Sequence, residues 1–306
     1  CGSGLKAVMM AAQAIRSGDG NVFVAGGMEN MNLAPYYLTK GRFGYRMGNA
    51  EIVDGMVFDG LWCAFENQHM GNSAEWIARA YDVSRQAQDE LAFESHRRAV
   101  AAIDAGRFKD EIVPIVIPQR KGPATVIDTD ENPRRDTSLE ALAKLRPAFQ
   151  EGGTVTAGNA PPISDGGAAL VVMNARTAAD LGVKPLARVT AFAQAAVKPL
   201  EIFTAPIFAV RRLMDKLGVT IDYFDLIEVN EAFAAQTIAD GRELGMDWQQ
   251  VNVNGGAVAL GHPIGCSGAR VLVTLIHALR QRNLKTGLAT LCLGGGEGVA
   301  LSIEML

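Results

Sequence analysis

The sequence predicts an α/β protein, because short apolar runs typical of strands alternate with amphipathic helical segments along most of the chain. Two further observations support this class. Hydrophobic residues make up 48% of the 306 positions, which is enough for large cores, and glycine-rich turns end several of the apolar runs. The alternation predicts mixed or mainly parallel sheets covered by helices on both faces. The length favours two domains.

The chain begins with a helix. Residues 2–17 place apolar side chains at helical spacing, and Gly18-Asp19-Gly20 ends the pattern. Residues 21–25 then read as a short buried strand that ends at two glycines. Cys1 is therefore expected at the N-terminus of a helix that runs back beneath a strand.

The middle of the chain, from about residue 30 to 159, has a less regular residue pattern. Aromatic residues and glycines alternate irregularly before a clear helical region. The patterns predict helices over 73–80 and 84–105, a strand over 112–117 and a polar loop over 121–136. This stretch is expected to be an insertion with its own small fold.

The last third returns to regular α/β alternation. The apolar and amphipathic patterns predict, in order, a strand over 187–193, a helix over 205–217, a strand over 224–229, a helix ending at 244, a helix over 265–282, and strands over 287–293 and 299–306.

Composition excludes several classes of function. The formal net charge is -4 and no long basic run is present, so no nucleic-acid partner is expected. The apolar stretches are too short to span a bilayer, and no membrane association is predicted. The four cysteines show no Cys-x-x-Cys spacing, so neither a disulfide framework nor a metal site is expected.

The first candidate site is Cys1, in the run Cys-Gly-Ser-Gly. A thiol at a helix N-terminus faces unpaired N–H groups and the positive end of the helix dipole, and both favour the thiolate. The glycines allow a substrate to approach closely. On this run alone, a packing cysteine remains the more common interpretation.

Two further candidates lie in the last third. Asn230 follows an apolar strand, where its amide can hold a water or a carbonyl oxygen, although an ordinary helix N-cap fits equally well. His262 is flanked by Gly261 and Pro263 just before a helix. An imidazole held in such a loop suits base catalysis or oxyanion donation, and the alternative is a loop histidine bonded to backbone.

Cys292 is the fourth candidate. It ends a buried strand and is followed by Leu293 and three glycines, beginning with Gly294. Backbone N–H groups exposed by such a turn can form an oxyanion hole. The alternative is a core cysteine before a turn.

Taken together, these runs resemble the thiolase family in order and spacing across essentially the whole chain. The matching segments are Cys-Gly-Ser-Gly at 1–4, Gly-Gly-Met-Glu-Asn-Met at 26–31, Thr-Ala-Gly-Asn-Ala at 156–160, Asn-Glu-Ala-Phe at 230–233, Gly-His-Pro at 261–263 and Cys-x-Gly-Gly-Gly at 292–296. The related ketoacyl synthases use a second histidine where this chain has Cys292, so the thiolases are the better match.

The resemblance implies a fold of two similar halves stacked in α-β-α-β-α layers, with a loop domain inserted in the first half. On this basis 1–30 belong to the first half, 31–160 to the loop domain, 161–185 to the end of the first half and 186–306 to the second half. The family's residues before the nucleophile have no counterpart here. The first half is therefore expected to be incomplete, and an N-terminal segment of the same fold is expected as its partner.

The resemblance also implies roles for the candidates. Cys1 would be the nucleophile that is acylated, and His262 would take its proton. Cys292 would be the second acid and base, Asn230 would hold a water beside the enolate oxygen, and the N–H groups of Cys1 and Gly294 would form an oxyanion hole. The reaction would be the reversible condensation of two acetyl-CoA to acetoacetyl-CoA, or thiolytic cleavage of a 3-ketoacyl-CoA. No metal or redox cofactor is expected.

Substrate contacts implied by the resemblance lie in all parts of the chain, and for each of them ordinary packing or a solvated loop is the alternative. They are Leu61, His69, Met70, Arg134, Phe149, Ala157, Ala232 and Phe233. One departure is Pro161, which stands where many family members have a serine, so any hydrogen bond from that hydroxyl is lost.

Two other functions remain open. Cys1 could serve an N-terminal-nucleophile hydrolase, which would leave His262 and Cys292 without a role. The chain could also be a non-catalytic scaffold with this fold, which would need none of the three. The resemblance further implies a homo-oligomer, a tetramer or a dimer, acting in fatty acid metabolism. The cytoplasm is the expected compartment, with an organelle as the alternative.

Overall fold

A computed structural model describes all of residues 1–306. The first part of the chain contains α1 (Ser3–Ser17), β1 (Val22–Asn30), β2 (Tyr36–Tyr37), β3 (Val53–Asp54), β4 (Trp62–Cys63), β5 (Gln68–His69), α2 (Met70–Ala80), α3 (Arg85–Asp104), β6 (Ile115–Ile117), β7 (Thr125–Ile127) and α4 (Leu139–Ala143). The second part contains β8 (Asp165–Met173), α5 (Ala175–Asp180), β9 (Ala187–Ala196), α6 (Ala205–Leu217), β10 (Leu226–Val229), α7 (Ala234–Leu244), α8 (Ala257–Leu260), α9 (Ile264–Arg282), β11 (Thr286–Leu293) and β12 (Glu297–Met305).

The larger sheet has four strands in the order β10-β11-β12-β9. Only β10 and β11 run parallel, and the other two pairs are antiparallel, so the sheet is mixed as predicted. Helices α1 and α9 pack against one face, and α6 packs against the other. Because both faces are covered, all four residues of β10 are buried.

The smaller sheet is the antiparallel pair of β1 and β8. Its inner face packs on α1 and α9, which places it beside the four-stranded sheet. On its outer face Val24 is 77% exposed and Met28 is 78% exposed. The prediction that helices cover both faces therefore holds for the four-stranded sheet and is wrong for this pair, where successive side chains alternate between core and surface.

The chain between β1 and β8 consists of short hairpins and helices α2, α3 and α4. Helix α2 packs on α7, and α3 packs on α7 and α8, so this segment rests on the last third of the chain. The polar loop predicted over 121–136 contains β7, which pairs with β6. The β-branched run Thr125-Val126-Ile127 explains this hairpin, and the predicted strand 112–117 is shortened to Ile115–Ile117.

Strand β1 continues past its predicted end at residue 25 to Asn30, because Gly26 and Gly27 pair with Ala169 and Ala168 of β8. Most other predicted elements lie close to their bounds. Helix α1 ends where Gly18 adopts a φ of 83°, a conformation that glycine reaches without strain. Helix α2 begins three residues before its predicted start, because the imidazole of His69 accepts a hydrogen bond from the backbone N–H of Gly71 and caps the helix. None of the helices combines the length and apolar character needed to cross a membrane.

Candidate active site

Cys1 lies immediately before α1, as predicted from the sequence. The helix packs against α9 so closely that a Cβ on Gly4 would lie 2.5 Å from the backbone nitrogen of Ala269, and one on Gly268 would lie 2.4 Å from that of Leu5. The two glycines therefore permit backbone-to-backbone contact between the helices. This contact fixes the start of α1 beside the first turns of α9, which follow His262.

His262 occupies the turn between α8 and α9. Its Nδ1 lies 2.6 Å from the Oγ of Ser267, and that hydroxyl donates to the carbonyl oxygen of Pro263 at 3.0 Å. Since the hydroxyl proton is engaged with Pro263, Oγ accepts from Nδ1–H. This tautomer leaves Nε2 unprotonated, with a lone pair that can take up a proton, as a base requires. Burial lowers the pKa of His262 to about 3, so the resting imidazole is neutral.

Asn230 is fully buried at the end of β10. Its backbone N–H donates to the carbonyl of Thr290 on β11 at 3.0 Å, and its Nδ2 lies 3.4 Å from Nε2 of His262. Its Oδ1 is buried and accepts no hydrogen bond from the protein. A buried acceptor without a partner is costly, so Asn230 is well suited to hold a polar group supplied by solvent or substrate.

Cys292 lies near the end of β11, two residues after the strand contact with Asn230, and is 1% exposed. Burial raises the pKa of its thiol to about 12, which makes it a neutral acid in the resting protein. The turn that follows exposes Gly294. A Cβ on Gly2 would lie 2.9 Å from the side chain of Leu293, so the residue after Cys1 packs against the strand that carries Cys292.

Several predicted substrate contacts form one apolar wall around Cys292. The ring of His69 stacks on Phe149 with centroids 4.7 Å apart, and Phe149 meets Phe233 edge-on at 6.0 Å. Met70 and Ala232 pack in the same hydrophobic cluster, which also contains Cys292. Five predicted contacts from three parts of the sequence therefore converge on one site.

The other predicted contacts lie outside this wall. Arg134 is exposed, and its backbone N–H donates to the buried His96 instead. Ala157 is exposed on the turn that Asn159 stabilises through its side chain. Leu61 is half-buried. The preceding residue, Gly60, lies near the start of α9, since a Cβ added to it would be 3.4 Å from the side chain of Ile264.

Two residues near the site had no role in the sequence analysis. Ser267 fixes the tautomer of His262, and its signal in the sequence is only a polar residue five positions after the histidine on the following helix. Glu29, on β1, accepts a hydrogen bond from the backbone N–H of Gly265 at 3.1 Å and so anchors the start of α9. No group of three or more histidine, cysteine, aspartate or glutamate side chains is arranged to hold a metal ion.

Comparison with known proteins identifies relatives along the whole chain. The family model of the thiolase N-terminal domain matches residues 1–176, and that of the thiolase C-terminal domain matches residues 183–305. An acetyl-CoA acetyltransferase of Pseudomonas aeruginosa is 57% identical over 99% of this chain and 77% of the relative. A probable acetyl-CoA acetyltransferase of Escherichia coli is 54% identical over the same shares.

A solved structure has the same fold. The crystal structure of the Bacillus anthracis acetyl-CoA acetyltransferase superposes with a TM-score of 0.96 at 46% sequence identity, over 100% of this chain and 77% of that one. Both domain models match, so both halves of the fold are represented in this chain.

Proposed function

Since the chain belongs to the thiolase family, it is an acyltransferase, and we propose that it catalyses the reversible condensation of two acetyl-CoA molecules to acetoacetyl-CoA and coenzyme A. In the opposite direction it cleaves a 3-ketoacyl-CoA with coenzyme A. The observation that carries this proposal is the pair of Asn230 and His262, 3.4 Å apart, beside the strand that carries Cys292.

Acylation begins at Cys1. Nε2 of His262 takes the proton of the thiol, and the thiolate attacks the carbonyl carbon of acetyl-CoA. The tautomer held by Ser267 supports this step, because Nδ1 is already protonated and Nε2 is not. Collapse of the tetrahedral intermediate breaks the bond to the sulfur of coenzyme A, and Cys292 gives its proton to that leaving thiolate. The products are acetyl-Cys1, free coenzyme A, a Cys292 thiolate and a protonated His262.

Condensation uses the two charges that acylation leaves. The Cys292 thiolate removes a proton from the methyl group of a second acetyl-CoA, and the enolate oxygen is held by Nε2–H of His262 and a water on Asn230. The enolate carbon attacks acetyl-Cys1, the Cys1 thiolate leaves, and His262 returns its proton to it. Each proton is accounted for, so only coenzyme A thioesters are required and neither a metal nor a redox cofactor is needed.

The N–H groups of Cys1 and Gly294 are the proposed oxyanion donors for the tetrahedral intermediates. The packing of Gly2 against Leu293 supports this role, because it holds the start of α1 beside the glycine turn. Loss of one oxyanion donor typically costs about 3–4 kcal/mol of transition-state stabilisation. Bulky aromatic side chains around Cys292 favour a short acyl chain, such as acetoacetyl.

We also propose that the enzyme is a homo-oligomer, a dimer or a tetramer, and acts in fatty acid metabolism in the cytoplasm. Support for self-association comes from the segment after β1, where Phe43 is 90% exposed. The four free cysteines fit a reducing compartment.

The test is acetylation of the protein with acetyl-CoA, followed by peptide mass spectrometry and by measurement of released coenzyme A. Acetyl on the Cys1 sulfur, with acetoacetyl-CoA formed on turnover, is the expected result. Cys63→Ala is the matched control, because that buried cysteine lies outside the site and its loss should leave acetylation unchanged. Acetyl found solely on the Cys1 amino group, or an unmodified Cys1, would overturn the proposed mechanism and leave the N-terminal-nucleophile hydrolase and the scaffold as the alternatives.

A further inference from the structure

The carboxylate of Glu231 lies at the junction of three segments and is 3% exposed. Its Oε1 accepts from Nδ2 of Asn252 at 2.9 Å. Its Oε2 accepts from Oγ of Ser95 at 2.8 Å and from the backbone N–H of Val258 at 3.0 Å. The proposed chemistry assigns this residue no role, although a buried carboxylate with three donors is held in one position.

The bond to Oε1 leads to Asn230. The side chain of Asn252 bridges the backbone of Val229 in both directions, accepting from its N–H at 2.9 Å and donating to its carbonyl at 2.9 Å. Val229 is the last residue of β10 and directly precedes Asn230. The Oε1 side of the carboxylate therefore fixes the backbone from which Asn230 projects.

The bonds to Oε2 lead to His262. Val258 belongs to the short helix α8, which ends at Leu260, two residues before His262. Ser95 also accepts from the backbone N–H of Gly256 at 3.0 Å, at the start of the same helix. A Cβ on Gly256 would lie 2.1 Å from the carboxyl carbon of Glu231, so the glycine is what lets the loop reach the carboxylate.

We propose that Glu231 is a positioning residue that sets the 3.4 Å separation between Nδ2 of Asn230 and Nε2 of His262. One carboxylate oxygen restrains each partner of the pair. This inference rests on the proposed function, in which acylation of Cys1 needs only His262 whereas enolate formation needs both side chains. Glu231 therefore controls the condensation step more strongly than the acylation step.

The substitution Glu231→Gln tests this division. An amide has the shape of the carboxylate but presents an NH₂ group to donors, so in either orientation the bond to Asn252 or the bond to Val258 is lost. A misplacement of about 1 Å in a catalytic pair can cost roughly 100-fold in rate. We expect acetoacetyl-CoA formation to fall about 100-fold while Cys1 acetylation, followed by rapid quench and mass spectrometry, falls only about threefold.

Glu228→Gln is the matched control. Glu228 is equally buried on β10, two residues before Asn230, and its carboxylate pairs with Arg270 instead of with Asn252, Ser95 or Val258. It should keep the wild-type ratio of the two rates. Asn252→Ala is a second test, which should reproduce the effect of Glu231→Gln by breaking the Oε1 arm even if the first variant folds poorly.

The outcomes separate the two proposals. If Glu231→Gln and Asn252→Ala lower the rates of Cys1 acetylation and acetoacetyl-CoA formation by the same factor, or lower neither, the positioning role is overturned and the proposed function stays intact. Wild-type protein that acetylates no cysteine would instead overturn the proposed function, and this inference with it. The KM for acetyl-CoA should not change, because Glu231 is buried and bonded to Asn252, Ser95 and Val258, none of which is assigned to substrate binding.

Discussion

The site joins two regions of different character. The proposed catalytic side chains Asn230 and Cys292 are at most 1% exposed and project from the four-stranded sheet, with His262 in the adjoining turn. Six of the eight residues assigned to substrate binding come instead from the segment between β1 and β8, and four of these six, including His69 and Phe149, are half-buried. The four-stranded sheet is covered by helices on both faces. The segment between β1 and β8 consists of short strands and helices that pack on α7 and α8.

This difference indicates a division of labour. Burial in the first region shifts the pKa values of His262 and Cys292 in the directions that keep both neutral at rest, as the proposed chemistry requires. The second region offers apolar and aromatic surface, which contributes binding rather than proton transfer. Substitutions in the first region should therefore lower kcat, and substitutions in the second should raise KM.

The largest effect is expected from Cys292→Ala. Without the second thiol no group removes the α-proton, and a positioned acid or base typically contributes about 10²–10⁴-fold. We expect kcat for acetoacetyl-CoA formation to fall by about 10³-fold. Acetyl-Cys1 should still form, more slowly, and accumulate, as mass spectrometry of the quenched protein can show.

Cys266→Ala provides the matched control for that variant. Cys266 is also buried, and its thiol pKa is also raised by burial, to about 11, but it lies on α9. It should keep near-normal activity. Comparable losses in both variants would mean that Cys292 acts through packing and not through proton transfer.

The next effect is expected from Ser267→Ala, which removes the acceptor that holds Nδ1–H of His262. The imidazole is then free to adopt the other tautomer, in which Nε2 is protonated and cannot take the proton of Cys1. We expect kcat to fall about 10–100-fold, part of what a positioned base supplies. Ser302→Ala removes an equally buried hydroxyl from β12 and should leave kcat unchanged. Normal activity in Ser267→Ala would show that catalysis does not depend on Ser267 to fix the tautomer of His262.

The two regions also differ in how well the sequence predicts their secondary structure. Regular helices such as α6 and α9 were placed within a residue or two, because apolar periodicity alone determines which face is buried. The second strand of the β6–β7 hairpin was missed, since Thr125-Val126-Ile127 is exposed and sits within a polar run. The sequence does not predict the roles of Ser267 and Glu231, because such hydrogen bonds produce no periodic pattern of residues.

Phe149→Ala tests the binding region. Its ring stacks on His69 and meets Phe233, and each aromatic pair is worth about 1 kcal/mol. Losing both pairs, about 2 kcal/mol together, should raise the KM for acetyl-CoA by up to about 30-fold, with kcat changed far less. Phe208→Ala removes a ring that is 47% exposed on α6 and should leave KM unchanged. A fall in kcat with constant KM would contradict the assignment of Phe149 to binding.

The smallest effect is expected where the two regions meet. Glu111, from the segment between β1 and β8, accepts from Thr274 on α9 at 3.1 Å, and burial raises its pKa from 4.5 to about 7. Because the folded protein binds this proton more tightly than the unfolded chain, the associated stability is complete below pH 4.5 and is lost as pH rises through about 7. Glu111→Gln keeps an acceptor for Thr274 without a carboxyl to ionise, so its unfolding temperature should be less sensitive to pH over this window.

At pH 8 we expect the Glu111→Gln variant to be more stable than the wild type by on the order of 1 kcal/mol, or about 2 °C in unfolding temperature, with equal stability at pH 4.5. Thermal unfolding at both pH values, with the exposed Glu297→Gln as control, measures the difference. Parallel curves for wild type and Glu111→Gln would show that this carboxyl does not titrate at the contact between the two regions.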